Sequence, residues 1–251
     1  MSAKNKNSCS NAEYKSGRLF IPQQIFASIK EIVLDAVFPH KCVCGKWGVL
    51  LCEECRGSIR VDKTGLCPIC KKISDFGRTC SACRHRSALT GVMILGPHKG
   101  VLKDLIWKYK YKFIIDEANP LAELISARFG DFLREKRFLI TYSPSSRDRI
   151  IWRGFNQAQL LAKKVSRKLN LDCINLLYKD NNVISQVGHT RKERLQNIKG
   201  KIKYIGTRDI TNKKVLIIDD VYTTGATLEE CAKILRQAGY REVWGLVLSR
   251  D

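Results

Sequence analysis

No stretch of this chain stays apolar for the roughly 18 residues that a spanning helix needs, so no transmembrane segment is expected. The first seventeen residues, MSAKNKNSCSNAEYKSG, hold no apolar core and no small-residue cleavage site. That argues against a secretory signal and makes the cytoplasm the expected compartment. Two common phosphate signatures are missing as well. There is no Gly-x-x-x-x-Gly-Lys-Ser/Thr and no Gly-x-Gly-x-x-Gly after a strand, which disfavours a nucleotide hydrolase or a dinucleotide enzyme. No internal repeat occurs beyond paired cysteines. Acidic residues are scarce, 24 against 45 basic, for a formal charge of +21. An excess of this size favours polyanions such as nucleic acid or phosphorylated ligands; solubility charge is the alternative, because charge alone names no site.

The remaining composition, 44% hydrophobic and 27% charged, is that of a soluble globular protein. A length of 251 residues suffices for one sizeable domain and a small one. Residues 1–20 read as disordered. Between Ile21 and Phe38 apolar residues recur at helical spacing up to Pro39. This helix either packs on its own domain or meets a membrane surface or partner.

Eight of the eleven cysteines crowd into about forty residues as four close pairs: Cys42-x-Cys44, Cys52-x-x-Cys55, Cys67-x-x-Cys70 and Cys80-x-x-Cys83. In a cytosolic chain such pairs read as metal ligands rather than disulfides. Eight thiolates suffice for two tetrahedral zinc sites, and all-cysteine sites are closed and structural. A module this small has too little core to fold without its metal. Cys173 and Cys231 fall on apolar faces and read as buried structural residues, and Cys9 as incidental.

Beyond the module, strand-like and helix-like segments alternate. Strands are expected at Val92–Leu95, Phe138–Tyr142, Cys173–Tyr178, Val215–Asp219 and Val243–Leu248. Helices are expected at Val101–Tyr109, Leu121–Leu133, Phe155–Leu169 and Leu228–Ala238. Short continuous apolar strands separated by helices predict an α/β fold, a parallel sheet covered on both faces. The polar segment Lys179–Arg208 breaks the alternation and reads as a lid, a hairpin or disorder.

The sharpest motif is Lys214-Val-Leu-Ile-Ile-Asp-Asp-Val-Tyr-Thr-Thr-Gly-Ala-Thr-Leu228. A buried strand ends in Asp219 and Asp220, and Thr223, Thr224, Gly225, Ala226 and Thr227 lead into a helix. Ligands of parallel sheets sit at the carboxyl ends of strands, and a helix start there suits a phosphate. The two carboxylates suit a ribose diol or a diol-bound Mg²⁺. A capped strand-to-helix turn would not need adjacent acids followed by three threonines around a glycine. Aromatics among basic residues, Trp47, Trp107, Tyr109, Tyr111 and Trp152, suit base stacking or equally a core; for Trp107 and Tyr109 the core is expected.

This motif resembles the loop with which type I phosphoribosyltransferases bind 5-phosphoribosyl-1-pyrophosphate (PRPP). Together with Tyr142-Ser-Pro-Ser-Ser-Arg147, Arg153-Gly-Phe-Asn-Gln157, Gln186-Val-Gly-His-Thr-Arg-Lys-Glu-Arg-Leu-Gln-Asn197, Gly239-Tyr-Arg-Glu-Val243 and the cysteine module, the chain is similar to the ComF/GntX family over residues 30–250. The resemblance implies a type I phosphoribosyltransferase fold over 89–251 behind a helix and double zinc-ribbon-like module over 21–88. It also implies a competence-associated role in DNA uptake or processing. By resemblance Asp219 and Asp220 hold the ribose, Thr223–Thr227 the 5-phosphate, and Ser145, Ser146 and Arg147 the pyrophosphate with Mg²⁺. Arg191, Lys192 and Arg194 would lie on a mobile catalytic loop. Relatives carry two residues inside the first cysteine pair, and the tighter spacing here leaves open a site in which His40 replaces Cys42. Where purine-salvage relatives place an acidic residue this chain has Thr223, so purine salvage is disfavoured. The resemblance leaves two functions open. One is transfer of 5-phosphoribosyl to an unidentified acceptor; the other is PRPP sensing coupled to single-stranded DNA and competence proteins.

Overall fold

The structure, a computed structural model, describes residues 40–62, 64–111, 115–180, 200–206 and 214–250. The expected disordered start, the helix at Ile21–Phe38, Cys9 and the loop Gln186–Asn197 lie outside them.

The cysteine-rich stretch has only short regular elements: a helix α1 (Glu53–Ser58), a minimal antiparallel ladder of β1 (Gly65–Leu66) with β2 (Ile73–Ser74), and two 3-10 turns, Asp75–Gly77 and Ser81–Arg86. Next come β3 (Gly91–Pro97), α2 (Gly100–Tyr111), α3 (Ala118–Lys136), β4 (Leu139–Tyr142), α4 (Arg147–Arg153) and α5 (Gln157–Leu169). A hairpin of β5 (Leu177–Lys179) and β6 (Ile202–Tyr204) precedes β7 (Lys214–Tyr222), α6 (Ala226–Gln237) and β8 (Glu242–Arg250).

The central sheet is parallel throughout, in the order β3-β8-β7-β4. Because side chains alternate along a strand, the apolar runs feed two cores. Leu216, Ile218, Trp244, Leu246, Met93 and Ile140 join the core that also holds buried residues of α2, α3 and α5. Val215, Ile217, Val243, Val247 and Val92 join the opposite core, with Leu228, Cys231 and Leu235 of α6 and Leu177 and Ile202 of the hairpin. The α/β architecture expected from the sequence is therefore observed: a parallel sheet covered on both faces, the type I phosphoribosyltransferase fold.

Three local expectations change. No continuous strand runs from Cys173 to Tyr178: Cys173 makes one parallel bridge to Ile140, and Leu177 starts the antiparallel hairpin. The reason is that consecutive Leu176 and Leu177 are both buried, which one pleated strand facing one core cannot achieve. The helix α4 had no signal, because it buries none of its residues. Gly154, at φ 77°, ends it in the left-handed conformation that glycine favours. Trp107, expected in the core, is 51% exposed, whereas Tyr109 is fully buried.

The cysteine stretch lies against the free edge of β3 and against α3. Thr79 N–H donates to the Thr90 carbonyl at 2.8 Å, and Asp62 N–H to the Leu95 carbonyl at 2.8 Å. Phe76 stacks on Phe132 with centroids 4.2 Å apart. Gly77, at φ 76°, passes so close that an added Cβ would lie 2.0 Å from the Val92 carbonyl oxygen. Covering an edge strand in this way removes a row of unpaired backbone groups.

Candidate functional site

Ten cysteines of the described residues are free thiols, and eight of them gather into two sets, Cys42/Cys44/Cys52/Cys55 and Cys67/Cys70/Cys80/Cys83. Within each set all four sulfurs lie within 4.8 Å of one another. The sulfur–sulfur distance is 3.7 Å for Cys44 and Cys52, and 3.7 Å for Cys70 and Cys80. A tetrahedron with zinc–sulfur bonds of about 2.3 Å has edges of about 3.8 Å, so both sets fit zinc. The first set is complete with Cys42, and His40 is not needed in its place.

The protonation chemistry points the same way. Burial disfavours a charged Cys67, yet backbone N–H groups of Cys70, Cys80 and Ile69 outweigh it and bring the thiol down to about 6. Cys42 comes down to about 7 against the same opposition, through backbone groups of Cys52 and Cys44. Burial and the neighbouring thiols push Cys55 and Cys83 up to about 12. Each set therefore pairs a thiol whose ionisation the surrounding backbone N–H groups favour with one whose ionisation burial and its neighbours oppose.

The second site lies at the carboxyl ends of β4 and β7, which are adjacent strands. Asp219 and Asp220 close the buried run Val215–Ile218 and are themselves half-buried. Successive backbone groups tie them down: Asp220 N–H donates to Asp219 Oδ1 at 2.9 Å, and Val221 N–H to Asp220 Oδ1 at 2.6 Å. Burial, then the Asp220 charge, pushes the Asp219 carboxyl up to about 6, against a hydrogen bond from Ser143 and the charge of Lys110. The chain then turns through Tyr222-Thr-Thr-Gly into α6. Gly225 sits at the cap position with φ 75°. An added Cβ there would meet the Tyr222 hydroxyl, the movable end of that side chain, so it is the conformation that calls for glycine. Gly225 brings no side-chain cap, and among the described residues Thr224 Oγ1 accepts from Ala226 N–H at 3.3 Å at the start of α6.

On β4 the chain leaves the sheet at Ser143, whose N–H donates to the Ile218 carbonyl at 2.9 Å. Ser145 and Ser146 are half-buried in the short turn before α4, and Arg147 is the exposed first residue of that helix. The Arg153–Gln157 motif holds this turn in place. Asn156 donates to the Ser143 carbonyl at 3.1 Å while its Oδ1 caps α5 by accepting from Gln159 N–H. Arg153 donates to Gln157 Oε1 at 3.2 Å, and the Gln157 carbonyl accepts from the buried Tyr109 hydroxyl at 2.6 Å.

The structure thus brings together Asp219, Asp220, the Thr223–Thr227 turn and the Ser145–Arg147 turn at one end of the sheet. Arg191 and Arg194 lie outside the described residues. Two groups at this end escape sequence reasoning. Ser143 lies inside the Tyr142–Arg147 motif but ahead of the three residues to which a ligand role was assigned. Lys110 sits on α2, more than a hundred residues from its partner, and reaches Asp220 Oδ2 at 3.0 Å; nothing local distinguishes it from the other lysines. A further cation, half-buried Lys179 on β5, is held below its usual range by burial, then by the charges of Arg149 and Lys201. An anion at this position would relieve that strain.

Beside this end lies an open aromatic cluster. Trp107 and Tyr111 of α2 lie 5.8 Å apart, Tyr111 and Trp152 of α4 6.3 Å apart, and the Arg153 guanidinium 5.6 Å from both the Tyr111 and Trp152 rings. Trp152 is 60% exposed.

The profile of a family described as "Phosphoribosyl transferase domain" matches residues 156–249, the stretch that contains α5, β7, the acid pair and α6. Competence protein F of Haemophilus influenzae is 30% identical over 220 residues, which span 78% of this chain and 95% of that protein. Competence protein ComFC of Bacillus subtilis is 26% identical over 196 residues, spanning 75% of this chain and 79% of the relative. The solved purine phosphoribosyltransferase of Pyrococcus horikoshii aligns at 17% identity and a TM-score of 0.36, covering 52% of this chain and 83% of that one. With its paired four-cysteine sets ahead of a parallel sheet that ends in an acid pair and threonine-glycine turn, and a curated relative matched over nearly its whole length, the chain belongs to the ComF family of competence-associated, phosphoribosyltransferase-fold proteins.

Proposed function

We propose that the chain binds PRPP at the carboxyl end of the sheet and, with Mg²⁺, transfers its 5-phosphoribosyl group to an acceptor not yet identified. The observation that carries this reading is the half-buried Asp219–Asp220 pair running directly into the glycine-capped start of α6. Only Val221, Tyr222, Thr223 and Thr224 separate the acid pair from Gly225, so carboxylate acceptors for a ribose diol and N–H donors for its 5-phosphate come from one short stretch of chain. In this reading Asp219 and Asp220 accept from the ribose hydroxyls, and Thr223, Thr224, Gly225, Ala226 and Thr227 cradle the 5-phosphate. Ser145, Ser146 and Arg147, with Lys179, take the diphosphate. Arg191 and Arg194 close over it as the charge of the leaving group develops. Mg²⁺, when bound, neutralises that charge. The two cysteine sets hold structural zinc within a module spanning residues 21–88, ahead of a phosphoribosyltransferase domain spanning 89–251.

Isothermal titration with PRPP, with and without Mg²⁺, tests this on the intact chain and on a variant carrying Asp219→Asn and Asp220→Asn. Micromolar, Mg²⁺-dependent binding that the variant loses supports the site. No binding at millimolar PRPP would falsify it.

The second reading, PRPP sensing by a factor that handles single-stranded DNA in competence, is favoured by one observation: the exposed Trp107–Tyr111–Trp152 cluster with its Arg153 guanidinium. Aromatic faces beside cations suit unstacked bases. Oligonucleotide binding with a steep salt dependence that weakens in Trp152→Ala supports it; binding unchanged by that substitution counts against it.

A further inference from the structure

The last turn of α2 is pinned on three sides. Lys108 pairs with buried Glu117 at 2.7 Å, the Tyr109 hydroxyl donates to the Gln157 carbonyl at 2.6 Å, and Lys110 reaches Asp220 Oδ2 at 3.0 Å. The first two contacts fix the backbone from which Lys110 extends, so the ion pair is a built feature of the crevice rather than a chance meeting of surface chains. The Lys110 and Asp220 side chains are only 17% and 24% exposed, so neither charge is free to exchange its partner for bulk water at no cost.

The carboxylate of Asp220 is also committed on both sides. Its Oδ1 accepts from Val221 N–H at 2.6 Å, and its Oδ2 faces Lys110. Each carboxylate oxygen offers two lone pairs, so a ligand hydroxyl can share Oδ2 with the Lys110 ammonium, though it weakens that ion pair. A ligand-borne cation at Asp220 instead drives the like-charged ammonium away. An ammonium released inside a part-buried crevice is costly unless it meets a new anion, and the group that a phosphoribosyl diphosphate adds to a ribose phosphate is such an anion.

We propose that Lys110 is an exchanging counter-ion of the ligand site: it neutralises Asp220 in the free protein and passes to the diphosphate when the ribose engages the acid pair. This assignment rests on the PRPP reading above. It makes Lys110 a diphosphate-recognising residue, contributed by an element that lies outside every phosphate-binding motif of the chain.

The test compares two ligands that share the ribose and the 5-phosphate but differ in the diphosphate. Titrations of PRPP and of ribose 5-phosphate are run on the intact chain and on Lys110→Met and Lys110→Arg, with thermal melts as a folding control. Lys110→Met is expected to weaken PRPP about tenfold or more while ribose 5-phosphate binds as well as before or tighter, because the ion pair it would weaken is gone. Lys110→Arg is expected to restore most of the PRPP affinity. Equal losses for both ligands would mark a purely structural ion pair and overturn the assignment, as would PRPP binding that Lys110→Met leaves unmoved. Should Lys110→Met melt below the assay temperature, Lys110→Gln carries the same two titrations. An intact chain that binds neither ligand overturns the PRPP reading and this assignment together; an intact chain that binds both, with no ligand difference in the variants, overturns only the assignment.

Discussion

The cysteine-rich stretch and the crevice at the end of the sheet both bring like charges together in half-buried places, yet they are assembled in opposite ways. In the first, each four-cysteine set comes from fewer than twenty consecutive residues, Cys42 to Cys55 and Cys67 to Cys83, with only short regular elements around it. Cation and thiolates would supply the energy that a core of this size cannot. In the second, Asp219 and Asp220 face each other's charge with no dedicated metal cage. Their burden is shared by Lys110 on α2 and Ser143 after β4. One site is written in spacing; the other exists only when distant elements are packed. The difference teaches that a closed metal knot can be local, whereas a site that must stay open to a ligand borrows its supports from the rigid sheet and helices around it.

The comparison breaks most strongly if the metal is withheld. Stripping zinc with a chelator, or changing Cys67→Ser, is expected to unfold the knot around that set, a loss on the order of 10 kcal/mol of metal-linked stability. Metal analysis should give two zinc ions per intact chain, and hydrogen exchange should show residues 40–90 losing protection while β7 and β8 keep theirs. Loss of protection throughout the sheet would mean that the two regions are one cooperative unit.

Next in size are two glycines, one per region. Gly77→Ala forces a Cβ into the Val92 carbonyl at a positive φ, and is expected to cost about 2–4 kcal/mol in a denaturant titration. Gly225→Ala meets the flexible Tyr222 side chain, and should cost about 1–2 kcal/mol while weakening PRPP about tenfold or more. Equal stability losses with no change in PRPP binding would erase the contrast between a packing glycine and a ligand-cradling one.

The acid pair itself should be a stability cost held for function. Asp219 sits at about 6 where an unfolded aspartate lies near 3.8, so the folded state binds its proton more tightly. Its favourable contribution is present in full below the unfolded value and is lost as pH rises through about 6. Asp219→Asn is therefore expected to stabilise the protein by about 1–3 kcal/mol at pH 7.5, with the gain vanishing below about pH 4. Denaturant melts across that range check it; a pH-independent difference would assign the effect to something other than this carboxyl. Smallest is Trp152→Ala: an exposed ring on a helix that buries nothing should change stability by no more than about 0.5 kcal/mol, so any larger effect on oligonucleotide binding would belong to the surface itself.

Much of this was legible in the residues. The apolar runs Val215–Ile218 and Val243–Leu248 announced buried parallel strands because both faces of such a strand are covered. The acid pair and threonine-glycine turn announced a strand end passing through a glycine cap into a helix, because few other arrangements need that order of residues. What escaped did so for identifiable reasons. The helix α4 has no buried face and thus no period. Leu176 and Leu177 looked like part of one strand from Cys173, but ladder pairing starts only at Leu177. Trp107 shares a helix with buried Leu105, Ile106 and Tyr109 yet faces outward, because periodicity locates an apolar face and not its edges.

By itself the sequence determined the two four-cysteine sets, the parallel sheet and the place of the acid pair, because each depends on neighbours a few residues apart: cysteine spacing, strand alternation, a strand end joined to a helix start. Only the tertiary structure decided that Lys110 meets Asp220, that the Ser143 N–H meets the Ile218 carbonyl beside Asp219, and that Trp107, Tyr111, Trp152 and Arg153 form one surface. Those partners are brought together by the packing of α2 and α4 beside the sheet, and the geometry of packed elements is a property of the whole core that no local pattern carries.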